Sequence, residues 1–307
     1  MNYTSKKKRT LFKLKKFTMK STKLFSALLV TLLFIGNVFA QDIITAKEFI
    51  ALQKEKPALV VIDASKDKLY VQSHIEGAVN IPYTILNEKD GKIDGSMLPL
   101  EEVAKIIGNK GVSNEDSIVV YDEGTQKYAT LVYWTLKYLG AKDVKVLHKE
   151  MNAFRDARVK MTAALPTINT KTFKVNLVPE INADAAYVES IIDNPDVIII
   201  DTRTPDEFKG VRNEKSTYSN GHIKGAINIP YESLVKTGTN DFISPEEFKA
   251  LAGIELSPEK NYLLYCKTGI KGATLYTYMV NVLGFKNVKN YKGAYAEWDY
   301  LGKPSIK

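Results

Sequence analysis

The feature that most constrains this chain is that it repeats itself. The stretch "VVIDASKDKLYVQSHIEGAVNIPY" at 60–83 returns as "IIIDTRTPDEFKG…NGHIKGAINIPY" at 198–231. "SNEDSIVVYD" (113–122) returns as "SPEKNYLLYC" (257–266), and "LGAKDVKVL" (139–147) as "LGFKNVKNY" (283–291). The pairs Asp63/Asp201, His74/His222 and Asp122/Cys266 are separated by 138, 148 and 144 positions, so the second copy gains ten residues around 209–220 and later loses four. A chain of 307 residues holds two cores of ordinary domain size, and the repeat requires that they share one architecture.

Within each copy, strand-like runs alternate with helix-like ones. "ALVVID", "SIVVY", "DVIIID" and "YLLY" are continuous, β-branched or aromatic, and match strands buried on both faces. Thr45 with Glu48, and Ser244 with Glu247 behind Pro245, are spaced as capping boxes that open helices. Leu275, Met279 and Leu283 recur at helical spacing, with Gly284 placed as a C′ cap. The alternation predicts an α/β fold, each copy a doubly wound parallel sheet with flanking helices. Residues 156–179 are rich in Thr, Lys and Pro and lack a period. They read as a linker between a first domain at 41–155 and a second at 180–307.

The net charge of +8 does not indicate a nucleic-acid partner, because its source is local. Nine cations lie between Lys6 and Lys23, and no acidic residue precedes Gln41. The remainder is close to neutral. This basic stretch leads into the uncharged run 24–40, which ends in Val38-Phe39-Ala40. That layout predicts an export signal at 1–40 cleaved after Ala40, a periplasmic or secreted product, and no membrane association after cleavage. Met19 offers an alternative start. An uncleaved anchor is the competing reading, for which 17 residues is at the short limit. No cysteine near the cleavage point would serve lipidation.

The repeat also separates scaffold from site. Residues present in both copies serve the fold most simply, and a residue present in one is a candidate for function. His74 and His222 occupy equivalent places, as do Phe154 and Trp298, and these read as structural. The three histidines and one cysteine have no metal-ligand spacing, so no metal site is expected. Cys266 stands apart, because its counterpart is Asp122. It is the only cysteine, which excludes an internal disulfide and CxxC exchange chemistry. Its place beyond the carboxyl end of a predicted strand is where ligands bind in doubly wound sheets.

After Cys266 runs the loop Lys267, Thr268, Gly269, Ile270, Lys271, closed by Gly272. Gly269 permits positive φ and Gly272 a close backbone approach. A tight loop opening a helix turns successive N–H groups inward as an anion nest. With the helix dipole and the charges of Lys267 and Lys271, the nest is expected to favour the thiolate.

On Asp201-Thr202-Arg203, the run 221–230 ("GHIKGAINIP") and the Cys266 loop, residues 43–307 resemble the rhodanese family, specifically its tandem-domain sulfurtransferases. The resemblance implies two tandem rhodanese-like domains, the first inert and the second catalytic. It implies that Cys266 takes a sulfane sulfur from a donor as a persulfide and passes it to a thiophilic acceptor, cyanide or a thiol, without a cofactor. Residues 267–272 would bind the donor through their backbone. The chain departs from the family in carrying Lys267 and Lys271 where arginines are usual, which gives up the planar two-oxygen grip. Glu207 also stands where some thiosulfate enzymes have an arginine, and Arg212 in the inserted segment is a candidate replacement.

The two lysines favour the compact dianion thiosulfate over 3-mercaptopyruvate, whose users in the family carry glycine after the cysteine and a hydroxyl-bearing loop end. An oxyanion phosphatase or arsenate reductase would need a cation at the seventh loop position, where Gly272 stands. A secreted binding module without activity would not need the cysteine and glycines to be kept.

Overall fold

The computed structural model describes residues 42–148, 151–211, 221–236 and 241–307. The segment 1–40 read as an export signal, and Arg212, lie outside the described residues.

The first sheet is built from β1 (Ile43–Ile44), β2 (Val60–Asp63), β4 (Val79–Asn80), β5 (Ser117–Tyr121) and β6 (Asp143–Leu147), in the order β1-β6-β5-β2-β4. The second uses β8 (Asn182–Ala183), β9 (Val197–Asp201), β10 (Ala226–Asn228), β11 (Asn261–Tyr265) and β12 (Val288–Tyr291), in the order β8-β12-β11-β9-β10. Every pairing in both sheets is parallel. The repeat in the sequence is therefore a repeat in strand order. Parallel strands need crossovers, and helices supply them. These are α1 (Ala46–Glu55), α2 (Asp67–Tyr70), α3 (Leu100–Asn109), α4 (Lys127–Tyr138) and α5 (Met151–Asp156) in the first copy. In the second they are α6 (Ala185–Ile191), α7 (Pro205–Lys209), α8 (Pro245–Ala252), α9 (Ile270–Asn281) and α10 (Ala294–Tyr300).

Central strands β5 and β11 are buried along almost their whole length, as their continuous apolar runs require. Both expected capping boxes form, with Thr45 and Ser244 each accepting the N–H of the glutamate three residues on. Leu275 and Met279 lie in the core on α9, whereas that helix ends at Asn281, so Leu283 and Gly284 (φ 73°) belong to the turn beyond it.

A small antiparallel pair joins β3 (His74–Ile75) to β7 (Met161–Thr162). Its counterpart in the second copy is a bridge between His222 and Ile306, which exchange backbone hydrogen bonds of 2.8 and 2.9 Å. Between β7 and the second copy, residues 163–178 carry no helix or strand, yet the segment is pinned to the first domain. Lys171 donates to the Gly108 carbonyl, Val178 donates to that of Tyr138, and the Asn114 side chain both donates to and accepts from the Lys174 backbone.

The copies pack through α4 and α9. Thr130 and Thr274, equivalent residues of these helices, are fully buried with their hydroxyl oxygens 2.9 Å apart. One apolar cluster runs across this seam, from Ile62 and Trp134 in the first copy to Leu264 and Tyr278 in the second.

Candidate active site

Cys266 follows the last residue of β11 and is 2% exposed. The strand end beneath it is tied from both sides: Thr202 donates its N–H and its hydroxyl to the Tyr265 carbonyl, and Tyr295 donates its N–H to the Cys266 carbonyl. Asp201 and Arg203 form a buried pair at 2.6 Å, and the Arg203 guanidinium stacks 3.7 Å over the Tyr295 ring. Burial works against the Arg203 charge, but the Asp201 carboxylate overcomes it and holds the pKa above its ordinary value. Arg203 is thus committed to the scaffold behind the loop.

Gly269 has φ of 79° and caps α9, so Lys267, Thr268 and Gly269 make the turn while Ile270, Lys271 and Gly272 form the first helical residues. A Cβ on Gly269 would lie 2.6 Å from the Lys292 carbonyl oxygen, which makes glycine the residue that fits on both counts. Gly272 lets α9 approach the Asn290 side chain closely. Lys267 is exposed, Thr268, Ile270 and Lys271 are half-buried, and both glycines are buried.

The first copy shows what such a loop accommodates. The Asp122 carboxylate accepts the backbone N–H groups of Gly124 (2.8 Å), Gln126 (3.1 Å), Tyr128 (3.0 Å) and Ala129 (3.1 Å), plus the Thr125 hydroxyl. It is an anion nest closed on its own carboxylate. Gln126 holds the left-handed conformation there, at φ 64°, and α4 opens one position later than α9 does relative to the repeat. In the second copy a neutral-sized thiol replaces the carboxylate. Among the described residues, the N–H groups of Thr268, Ile270 and Gly272 donate to no protein acceptor. An anion carried on Cys266 has donors waiting.

The charges around the loop are not as the sequence suggested. Lys267 faces Asp94 at 3.4 Å and Lys271 meets Glu232 at 2.6 Å. Each lysine brings a positive charge that a carboxylate offsets. Sequence reasoning missed Lys292, which follows β12 and is 7% exposed. Its ammonium donates to the Gly95 carbonyl at 2.6 Å, reaching into the first domain. Gly95 also packs directly on Thr268, for a Cβ there would fall 2.7 Å from the threonine Cβ. The segment around Asp94 and Gly95 therefore overhangs the Cys266 loop. The one available signal was positional: Lys292 replaces His148 at the end of the equivalent strand.

Both repeat histidines do the same structural work. His74 stacks on Tyr70 and contacts its carbonyl at 2.7 Å, and His222 stacks on Phe208 and contacts that carbonyl at 2.8 Å. Phe154 and Trp298 are both buried. Glu207 accepts the Thr204 N–H and hydroxyl in a third capping box, so its carboxylate opens α7. Among the described residues no group of acidic, histidine and cysteine side chains is arranged to hold a metal.

The rhodanese-like domain model matches residues 45–157 and again 184–300, and the chain belongs to that family as a tandem of two such domains. It is 27% identical over 274 residues to the thiosulfate sulfurtransferase of Corynebacterium glutamicum, covering 86% of this chain and 90% of that protein. It is 26% identical over 284 residues to the sulfur carrier protein TtuD of Thermus thermophilus, covering 87% and 97%. Among solved structures, SseA from Escherichia coli, described as a 3-mercaptopyruvate sulfotransferase with the rhodanese fold, superposes with a TM-score of 0.72 at 23% identity, covering 83% of this chain and 98% of SseA. Tum1 from Saccharomyces cerevisiae gives 0.74 at 20%, covering 86% and 96%. These structural likenesses concern the fold.

Proposed function

We propose that this protein is a sulfurtransferase in which Cys266 carries a sulfane sulfur, with thiosulfate as donor and cyanide or a thiol as acceptor. The observation that carries the reading is the pair of loops. One copy wraps its backbone N–H groups around the Asp122 carboxylate, and the other presents a thiol at the same place with donors to spare. In the first step the Cys266 thiolate attacks the outer sulfur of thiosulfate. A bond forms between Sγ and that sulfur, the sulfur–sulfur bond of thiosulfate breaks, and its electron pair leaves with sulfite. In the second step the acceptor's lone pair takes the outer sulfur of the persulfide and returns the thiolate. Charge is conserved in both steps and no oxidant is needed.

The name of the Corynebacterium glutamicum relative supports thiosulfate, and the likeness to SseA keeps 3-mercaptopyruvate as the second donor to test. Intact mass of the purified protein before and after thiosulfate, then after cyanide, tests the reading. A reversible gain of one sulfur on wild type, absent from Cys266→Ser, is expected. No gain from either donor would sink it.

We further propose that residues 41–155 form the silent domain, 156–179 the crossing segment and 180–307 the catalytic domain, and that the chain is exported. The basic-then-apolar order of residues 1–40 supports export.

A further inference from the structure

Lys292 presents a physical problem that its surroundings among the described residues solve only in part. Burying an ammonium is costly unless it is paired and hydrogen-bonded. Among the described residues its one direct hydrogen-bond partner is neutral, the Gly95 carbonyl, which leaves two of its three N–H groups uncommitted there. Its stem lies along the Gly269 turn. The ionisable groups that act on it are Cys266 at the head of the loop and Glu297 on α10, and next to its Gly95 partner stands Asp94 of the first domain, ion-paired with Lys267. Glu297 and Cys266 both draw on its charge.

We propose that Lys292 is the counter-ion of this site: a positioning residue, tethered across the domain seam to Gly95, whose ammonium balances the negative charge that Cys266 carries as thiolate and as persulfide. This rests on the sulfur-transfer reading above. When thiosulfate meets the thiolate, three negative charges meet at a buried residue with little access to water, and no bond to Lys292 forms or breaks. The lysine supplies the opposing charge that the loop lysines, each held by a carboxylate, do not supply in full. The Gly95 tether also gives the silent domain a part in the chemistry, since it fixes where that charge sits.

Burial pushes the Lys292 pKa down from its ordinary value to about 8, against the pull of Cys266 and Glu297. The sign follows directly. Below that value the ammonium is charged and the site is balanced; above it the lysine is neutral and donor use falls. The kcat/KM for thiosulfate, which reports the free enzyme, is therefore expected to carry an alkaline limb near pH 8.

The experiment is the pH profile of thiocyanate formation by the full chain, wild type against Lys292→Met and Lys292→Arg. Lys292→Met is expected to lose about 10- to 100-fold in kcat/KM at neutral pH, the scale of one charge-assisted hydrogen bond, and to lose the alkaline limb. Lys292→Arg is expected to recover most of the rate and carry it past about pH 10, since a guanidinium stays charged. If Lys292→Met does not fold, the comparison of wild type with Lys292→Arg still decides. A limb left near pH 8 in the arginine variant, or an undiminished rate in the methionine variant, overturns the proposal. If wild type takes sulfur from neither thiosulfate nor 3-mercaptopyruvate, the sulfurtransferase reading has failed. Iodoacetamide alkylation of Cys266 then tests the counter-ion by itself. It is expected to run several-fold slower in Lys292→Met at neutral pH, and equal rates reject it.

Discussion

The Asp122 carboxylate accepts the N–H of Ala129 at 3.1 Å, seven residues along the chain, and so closes the first loop on itself. Its oxygens also hold Gly124, Gln126 and Tyr128. Asp122→Ala would leave several buried donors without an acceptor, at about 2–4 kcal/mol of stability read by urea unfolding. Specific activity of the folded fraction is expected to stay near wild type. Cys266→Ser is expected to do the reverse, abolishing sulfur transfer with a stability change under about 1 kcal/mol. Equal losses of activity from the two substitutions would mean that the silent and active copies have been confused.

Thr130 and Thr274 make a second, asymmetric relationship across the domain seam. The Thr130 hydroxyl donates its one proton to the Gln126 carbonyl at 2.7 Å, so Thr274 is the donor between the two threonines. Thr130→Val strands a buried donor on Thr274 and is expected to cost about 1–3 kcal/mol. Thr274→Val removes the donor itself and leaves Thr130 with its other bond, at about 0.5–1.5 kcal/mol. Urea unfolding of the two variants checks the order, and a larger loss from Thr274→Val would show the proton assignment to be reversed.

What could be read from the sequence divides along a physical line. Strand identity follows from local apolar runs, and a repeat carries the same local signals twice, so the buried parallel strands and the loop after Cys266 were legible, whereas the order of strands in each sheet comes from long-range pairing that no local run encodes. The histidines were readable as scaffold because a residue kept in both copies cannot owe its place to one site. Lys292 was not legible, because its meaning comes from Gly95, 197 residues away, and from burial that no local pattern marks. The ion pairs of Lys267 and Lys271 were hidden for the same reason. Asp94 and Glu232 reach the loop only once the chain has folded.

Export makes a separate prediction. The order of basic stretch, apolar run and Val38-Phe39-Ala40 suits a signal peptidase, which prefers small side chains at the cut. Expression of the full chain is expected to yield a secreted or periplasmic form beginning at Gln41, seen by N-terminal sequencing. A membrane-bound product that still contains residues 24–40 would establish an anchor instead.

The final prediction concerns Glu232, whose carboxylate lies 2.6 Å from the Lys271 ammonium. Burial opposes the Glu232 charge, but the hydrogen bond and charge of Lys271 prevail and hold the carboxyl below its ordinary pKa. The Glu232 carboxylate therefore stays ionised throughout the neutral range and partly cancels the attraction of Lys271 for an anionic donor. Glu232→Gln removes that cancellation. It is expected to raise kcat/KM for thiosulfate about threefold, the scale of a part-exposed ion pair, and to steepen its fall with added salt. Lys271→Gln leaves the carboxylate uncompensated beside the loop and is expected to lower kcat/KM by about three- to tenfold. The double variant should fall between the two. A monoanionic donor such as 3-mercaptopyruvate feels the same potential with less charge and should respond less to each change. Steady-state kinetics on both donors at two salt concentrations decide the matter. If Glu232→Gln slows thiosulfate, the carboxylate is positioning the loop through Lys271 rather than masking its charge.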